Sequence, residues 1–504
     1  SARRKRAPKL RAFSSMKVPE RHPRLYTIPP SAPFLSTLAK AFINGDLPVP
    51  GGQKPDPLTL PLATIYLPTR RAVRALREAF LDASGGKAML LPRIRALGDP
   101  DEDAAIIFGA EAEQDGGLAE AAIGAPAIDE LPRRLALMRL VLAWQRSVRG
   151  GGALGVEIPA ASTPAQAFYL AADLARLMDL IESEEADLSA LAGTVPKDHA
   201  DHWSRTADFL QIVTEHWPNF LKDNGLVSPV ARRNALMAFE ASRLAASPPP
   251  GPVIAAGSTG TVPATARLLQ VIASLPNGAV VLPGLDLGLD EESWRNVREH
   301  PEHPQAGMAE LLAKLAVRPS DVTYVPGSAP SISARARLEL ASEVLRPAGE
   351  TDRWQDFLQK HGKGSQESLG GLESALSGLM LLEAPTAHDE AEVIALIMRS
   401  VVETPAKTAA LVTPDRVLAR RVASRLRSFD LLIDDSAGVP VARTVPGAFL
   451  DLVVGAVESG FAPPQTMALL KHPLALLGRP PSEIRSAARA LERGAFRDVY
   501  VGQR

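Results

Sequence analysis

The stretch from Pro252 to Asp286 constrains the fold more than any other part of the chain. Two short runs rich in Val, Ile and Leu are bounded by Gly and Pro, and an amphipathic segment of helical length, Ala264 to Ser274, separates them. This pattern predicts a strand-helix-strand unit of a parallel sheet. The loop after the first run, Gly257 to Gly260, precedes a helix with Thr261 as candidate cap and Pro263 in its first turn. Because crevices in open α/β sheets lie at the carboxyl ends of strands, this loop is the first candidate ligand site.

Composition excludes several classes of protein. A length of 504 residues predicts more than one domain. The absence of cysteine excludes disulfides, thiolate metal sites and a cysteine nucleophile. No run approaches the roughly 18 apolar residues of a membrane span. The formal net charge is -1, so a nucleic-acid surface would have to be a local patch.

Changes in pattern along the chain predict its organisation. Residues 1–23 begin with a basic run and are predicted to form a disordered segment, with a phosphate-binding arm as the alternative. Residues 24–98 and 244–370 are predicted to form a first α/β domain, and the Ala/Leu/Arg/Glu-rich residues 99–243 a helical insertion. Residues 371–504 are predicted to begin a second α/β domain, with strands near 381–384, 409–412 and 431–433, and to end in helices.

The first predicted strand, Arg24 to Ile28, leads into a loop and a helix, which is the layout of a phosphate-binding loop. Such a loop requires glycines and a Lys-Ser/Thr pair, whereas this one contains Pro29, Pro30 and Pro33. Proline has no backbone N–H to offer a phosphate. We therefore predict that this loop does not bind ATP in the usual way.

Two predicted strand-loop-helix units carry Thr and Arg where the strand ends. Thr69, Arg70 and Arg71 follow one apolar run, and Thr413 and Arg416 follow another. The arginines could simply lie on solvated helix starts, but cations at a helix N-terminus oppose the helix dipole. A phosphate backbone, contacted by hydroxyls, backbone N–H groups and arginines together, would account for their position.

Two pairs of side chains are candidate metal ligands. His300 and His303 are three residues apart, but the adjacent prolines favour a loop over the single helical face that a metal pair requires. Asp434 and Asp435 are adjacent, so on a strand they would face opposite ways. We predict no metal site, and we expect one of the two aspartates to cap a helix or to form a turn.

The order of elements resembles a superfamily 1 helicase core, and an ordered set of short motifs makes the resemblance more specific. The set comprises Ile28 to Pro30, Leu67 to Arg71, Gly257 to Gly260, Leu282 to Asp286, His303 to Gln305 and Asp434 to Gly438. From about residue 24 to the end of the sequence, this set resembles the B subunit of the AddAB helicase-nucleases of the alphaproteobacterial type.

The resemblance implies an α/β fold with superfamily 1 helicase-like parallel sheet domains and a large helical insertion. It also implies a cytoplasmic protein that processes double-strand DNA breaks for homologous recombination. The implied partners are the AddA motor subunit, in a heterodimer, and DNA ends and single-stranded DNA; no membrane is implied. ATP and Mg are expected on the motor subunit and no cofactor on this chain. Family members scan single strands for a hotspot sequence and end in a nuclease domain, so the chain is interpreted as an inactivated N-terminal half without a catalytic site.

The predicted DNA-binding residues are Thr69, Arg70, Arg71, Ser258, Thr259, Thr413 and Arg416. They are expected to line one groove at the carboxyl ends of two sheets and to hold phosphates. Two alternatives remain open. One is a scaffold whose helical insertion docks AddA, and the other is an enzyme that binds a nucleotide at Gly257 to Gly260.

Overall fold

The computed structural model describes residues 23–49, 51–97, 125–150, 163–186, 212–361 and 371–497. The chain divides into two compact units, Ser1–Gly378 and Leu379–Arg504. The basic segment predicted for residues 1–23 lies almost wholly outside the described residues.

The first unit contains a parallel six-stranded sheet with the order β3-β2-β4-β5-β1-β6. The strands are β1 (Leu25–Ile28), β2 (Thr64–Leu67), β3 (Arg93–Ala96), β4 (Val253–Ala256), β5 (Gly278–Pro283) and β6 (Thr323–Tyr324). The predicted α/β class is therefore confirmed. Because both faces of a parallel sheet are covered by helices, its central strands are apolar throughout, as in β4.

Alternate residues of each strand enter two different cores. In β2, Ile65 and Leu67 pack on one face with helices α1 (Phe34–Asn44) and α2 (Arg70–Ala83). Tyr66 points to the other face, as the two-residue period of a strand requires. That face is covered by α6 (Pro229–Ala246), α7 (Pro263–Ser274), α8 (Glu291–Glu299) and α9 (Ala306–Leu315).

The residues between β3 and β4 form helices in every stretch that the structure describes. They are α3 (Glu130–Gly150), α4 (Pro164–Ser183) and α5 (Trp217–Asp223), the last preceded by a π-helical turn at Ile212–His216. Trp217 is buried in their shared core and its ring stacks on that of Phe220 at 5.4 Å between centroids. Helix α6 follows this group, and its Ala241 and Leu244 belong to the core beneath the sheet.

A buried polar cluster fixes α6 to the sheet. The carboxylate of Glu240 accepts hydrogen bonds from the Tyr66 hydroxyl and from Arg243, whose Nε and NH2 atoms lie 2.8 and 2.9 Å from its two oxygens. Arg95 of β3 lies 4.0 Å from the same carboxylate. Burial raises the pKa of the Glu240 carboxyl, but the hydrogen bonds and charge of Arg243 outweigh it, so the net pKa lies below its ordinary value.

Three helices complete the first unit: α10 (Ile332–Val344), α11 (Arg353–His361) and α12 (Gly371–Leu376). A buried carboxylate, Glu350, joins the segment between α10 and α11 to α8. It accepts hydrogen bonds from the Ser293 hydroxyl and from Arg346 NH1, both at 2.8 Å. Arg353 extends this network to Asp290, the N-cap of α8, at 2.7 Å.

The second unit consists of helices α13 (Ala387–Val402), α14 (Arg416–Arg427), α15 (Val445–Glu458), α16 (Pro463–Lys471) and α17 (Pro481–Leu491). The strands expected near 381–384, 409–412 and 431–433 are not formed within its described residues. Strand formation requires a hydrogen-bonded neighbour, and the structure pairs these segments with none. Several of their side chains are exposed, Leu381 by 86% and Val412 by 93%, whereas Leu411 and Leu431 are half-buried against the core of this unit.

None of the described helices is long and apolar enough to cross a membrane.

Candidate nucleic-acid interface

Four loops lie side by side at the carboxyl edge of the sheet. Because β2, β4, β5 and β1 are consecutive parallel neighbours, the segments that follow them emerge at the same edge. These segments begin at Pro68, Gly257, Gly284 and Pro29. The edge is the position at which open α/β sheets bind ligands.

Gly257 is the point where three of these loops pack together. Its φ of +76° lies in the left-handed region, which glycine adopts without steric cost. A Cβ atom there would lie 3.4 Å from the Phe34 ring and 3.6 Å from Cδ of Pro68. Its N–H also donates to the Val281 carbonyl at 2.9 Å. The start of the Gly257 loop is thus fixed against β5, α1 and the β2 loop.

Hydrogen bonds hold the β5 loop in place. The Gln305 side chain donates to the Gly284 carbonyl at 3.0 Å and accepts from the Asp286 N–H at 3.2 Å. The buried Thr27 hydroxyl donates to the Leu282 carbonyl and accepts from the Leu285 N–H at 2.9 Å. The sequence analysis included Gln305 only in a motif and missed this role, because its contacts join segments about twenty positions apart.

Thr69, Arg70 and Arg71 lie where β2 passes into α2. The Thr69 hydroxyl accepts a hydrogen bond from the Ala72 N–H at 3.1 Å and so caps the helix. Arg70 and Arg71 form its exposed first turn, which contains no acidic residue. The predicted residues therefore lie at a helix N-terminus, where backbone N–H groups and the helix dipole favour an anion.

The basic surface of α2 continues beyond the predicted residues. Arg74 and Arg77 are also exposed, at the three- and four-residue spacing that places them on the same face as Arg70. Val73 and Leu76 are buried on the opposite face. The sequence analysis did not single out Arg74 and Arg77, although their spacing from Arg70 was a sufficient signal.

Ser258 and Thr259 lie in the half-buried loop that follows Gly257. The Gly260 N–H points to the Ser258 hydroxyl at 3.4 Å. Because Gly257 packs on Pro68, the structure brings this loop and the Thr69 loop to one edge. The N–H groups of Gly257 and Gly260 already have acceptors within the chain, which disfavours the alternative of a nucleotide cradled by this loop.

Thr413 and Arg416 belong to the other compact unit, where both side chains have hydrogen-bond partners. The Thr413 hydroxyl accepts from the Asp415 N–H at 3.0 Å, and Asp415 caps α14. Both NH groups of Arg416 donate to the two carboxylate oxygens of Asp435, at 3.1 and 3.0 Å. Asp435 also accepts from the Ala437 N–H at 2.9 Å, so the expectation that one of the paired aspartates forms a turn is confirmed.

The histidine pair occupies a turn. The Nδ1 atom of His303 accepts a hydrogen bond from the Gln305 N–H at 3.1 Å, and burial lowers the pKa of the His303 imidazole below its usual range. As an acceptor, the Nδ1 atom of His303 supports the turn that carries Gln305. Across the described ranges, no group of three or more metal-ligating side chains could hold a metal ion.

No protein-family model matches the chain, and no curated protein matches it in sequence.

Proposed function

We propose that the chain is the DNA-binding, non-motor subunit of an ATP-dependent helicase-nuclease, of the AddB type, that processes DNA ends for homologous recombination. The observation that carries this proposal is the arginine-bearing start of α2 beside the Gly257 loop. There Arg70, Arg71, Ser258 and Thr259 share the carboxyl edge of a parallel sheet. The six-stranded order and the helical region between β3 and β4 are consistent with a helicase-like first domain.

Electrostatics supports phosphate as the ligand of this edge. Each arginine at the start of α2 opposes the helix dipole by about 0.3–1 kcal/mol, and the first turn offers no carboxylate to offset it. A phosphate group would neutralise the arginines and also accept from the N–H groups of the first turn. Phosphate contacts of this kind position a nucleic-acid strand without reading its sequence.

The loop after β1 supports the assignment of ATP hydrolysis to a partner. It is a proline turn in which the Ala32 N–H donates to the Pro29 carbonyl at 3.0 Å. Pro30 and Pro33 have no N–H, so the loop offers few donors to a triphosphate. In the proposed complex the AddA motor subunit supplies ATP and Mg, and this chain holds the DNA.

A scaffold function is the second candidate, and exposed apolar side chains in the second unit favour it. Leu381, Val412 and Leu432 are each more than four-fifths exposed. Clusters of exposed apolar side chains mark sites of protein association. DNA binding by the isolated chain separates the two functions, because a pure scaffold would bind none.

The test is anisotropy of a labelled duplex end with a single-stranded tail, titrated at several salt concentrations with and without ATP. We expect salt-sensitive, ATP-independent binding that weakens when Arg70 and Arg71 are replaced by Ala. The salt slope should fall by about 0.7–0.9 for each phosphate that the variant no longer neutralises. Unchanged affinity and slope in R70A/R71A would refute the assignment of DNA to this edge.

The matched control is R139A/R146A, which removes two exposed arginines from α3. Alanine is favoured in helices and removes charges that oppose the dipole. The melting temperature of R70A/R71A, measured beside that of the parent chain, shows whether a loss of DNA binding reflects unfolding.

A further inference from the structure

A basic pocket that the sequence analysis did not identify lies in the second unit. It has a volume of about 660 Å³ and is formed by α16, α17 and the π-helical turn Glu492–Phe496. Its lining residues are Lys471, Arg485, Arg489, Glu492, Arg493 and Arg497. Five cations against one carboxylate give a formal excess of four positive charges, in a chain whose net charge is -1.

The helix aligns three of these arginines. Arg485, Arg489 and Arg493 are spaced four residues apart, which places them along one face, while Ile484 and Ala488 of α17 are buried. The Nε atom of Arg489 donates to the Arg485 carbonyl at 3.3 Å, and that of Arg493 to the Arg489 carbonyl at 3.4 Å. The side chains are thus held parallel to the helix axis.

The single carboxylate of the pocket does not neutralise this row. Glu492 lies 3.1 Å from Lys471 Nζ and 3.5 Å from Arg497 NH2. The hydrogen bond from Lys471 lowers the pKa of the Glu492 carboxyl below its usual range. Within residues 371–497, no ion pair is described for Arg485, Arg489 or Arg493.

Helix stability does not account for the row. Cations stabilise only the last turn of a helix through its dipole, which explains Arg489. Arg485 lies in the first half of α17 and Arg493 beyond its end. A ligand with several negative charges in line explains all three positions.

We propose that this pocket binds the phosphodiester backbone of a single nucleic-acid strand, as a site separate from the sheet edge. Guanidinium groups match phosphate oxygens with two parallel hydrogen bonds. Residues four apart on a helix lie about 6 Å apart along its axis, and one strand in B-form geometry carries one charge per roughly 3.4 Å of axis, so the row matches about every second phosphate of a strand in that form. None of the described residues that line the pocket is aromatic. The contacts that they offer are therefore to the phosphate backbone, without the stacking that would orient bases.

The chain contains no cysteine, so Gly494→Cys introduces a unique thiol for a fluorophore beside Arg493. A Cβ atom at Gly494 would meet nothing within 4 Å, and the labelled protein should fold as the parent does. Titration of the labelled full chain with a short oligothymidine should give a saturable fluorescence change. R485A/R489A should raise the Kd from this signal about tenfold or more, because phosphate contacts dominate such affinity.

Two further variants localise the response. R420A/R421A removes two exposed arginines from α14 of the same unit and should leave the signal unchanged. R70A/R71A should also leave the fluorescence signal unchanged, even where it weakens DNA binding at the sheet edge. Failure of the proposed function and failure of this site are therefore distinguishable. Circular dichroism of R485A/R489A checks that α17 remains helical.

A polyglutamate peptide with the same net charge as the oligothymidine is the control ligand. A weaker or absent response to this peptide supports a nucleic-acid strand as the ligand. A response equal to that of the oligonucleotide would overturn the proposal in favour of an acidic protein segment. No oligonucleotide response, or one that R485A/R489A leaves intact, would also overturn it.

Discussion

Replacement of Glu240 by Gln tests whether the buried carboxylate holds β2, and with it the Thr69 loop, in position. The Glu240 side chain is only 2% exposed and accepts three hydrogen bonds from Tyr66 and Arg243. An amide oxygen at the Oε1 position can still accept from Tyr66 and from Arg243 NH2, but the amide NH2 group then faces Arg243 Nε and cannot accept from it, and the carboxylate charge is lost. Breaking a buried ion pair costs roughly 3–5 kcal/mol. Arg243 is 36% exposed and can turn to water, so we expect the lower value, about 3 kcal/mol.

Hydrogen-deuterium exchange measures this loss at the strand itself. A free-energy change of about 3 kcal/mol corresponds to roughly 100-fold faster exchange of the β2 and α6 amides, at about 1.4 kcal/mol per factor of ten. Tyr66→Phe is the matched control, because it removes one donor and leaves Glu240 paired with Arg243. Its expected cost is about 1 kcal/mol. Equal effects of E240Q and Y66F, or no effect of E240Q, would refute the argument that the Arg243 pair dominates.

The same variant has a pH signature. The folded-state pKa of Glu240 lies below its ordinary value of 4.5, so its stabilisation is complete above pH 4.5 and is lost as pH falls through the folded-state pKa. E240Q should lose this component of acid sensitivity. If the parent and E240Q destabilise in parallel below pH 4.5, Glu240 is not ionised in the folded protein.

Three further predictions concern other parts of the molecule. Gly257→Ala should lower the free energy of unfolding by about 1–2 kcal/mol, because an L-residue is disfavoured at a φ of +76°. A denaturant titration measures this loss, and an unchanged midpoint would contradict the prediction. Asp290→Ala removes the N-cap of α8 and a partner of Arg353, and should cost about 1 kcal/mol at pH 7. Because the pKa of Asp290 is lowered to about 2, this difference should shrink as pH falls from about 3.8 to about 2; a pH-independent difference would exclude the ionised carboxylate as its cause. Arg416→Ala should leave DNA affinity unchanged if its bond to Asp435 persists in solution, and a clear loss would return Arg416 to the DNA-binding surface.

The central part of the fold followed from the sequence because its signals are local. β2, β4 and β5 are short, largely apolar runs followed by Pro or Gly, and the helices between them have an apolar face. The edge strands were missed for the opposite reason. β3 has the sequence Arg-Ile-Arg-Ala and β6 is only two residues long, so their pairing is set by neighbours distant in sequence.

The second unit shows how the same local signal can mislead. The segments near 381–384, 409–412 and 431–433 have the composition of strands, yet none pairs with a neighbour within the described residues. The candidate nucleic-acid interface likewise combines residues that the sequence reveals with contacts that it does not. The arginines at the start of α2 were visible in the sequence, whereas the packing of Phe34 against Gly257 and the bond of Arg416 to Asp435 depend on tertiary contacts. A short motif cannot reveal that an arginine already has a partner.

The two basic surfaces differ in how their arginines affect the stability of the helix that carries them. The arginines of α2 begin at the helix N-terminus, where they oppose the dipole, and the Thr69 cap and the buried apolar face supply the stability that they remove. Arg489 of α17 lies in the last turn, where a cation is favourable. Alanine substitution should therefore raise or preserve helix stability at α2 and lower it slightly at α17. At α17 the dipole of the last turn accounts for Arg489 alone, so the fluorescence signal at Gly494→Cys tests the ligand site that Arg485 and Arg493 indicate.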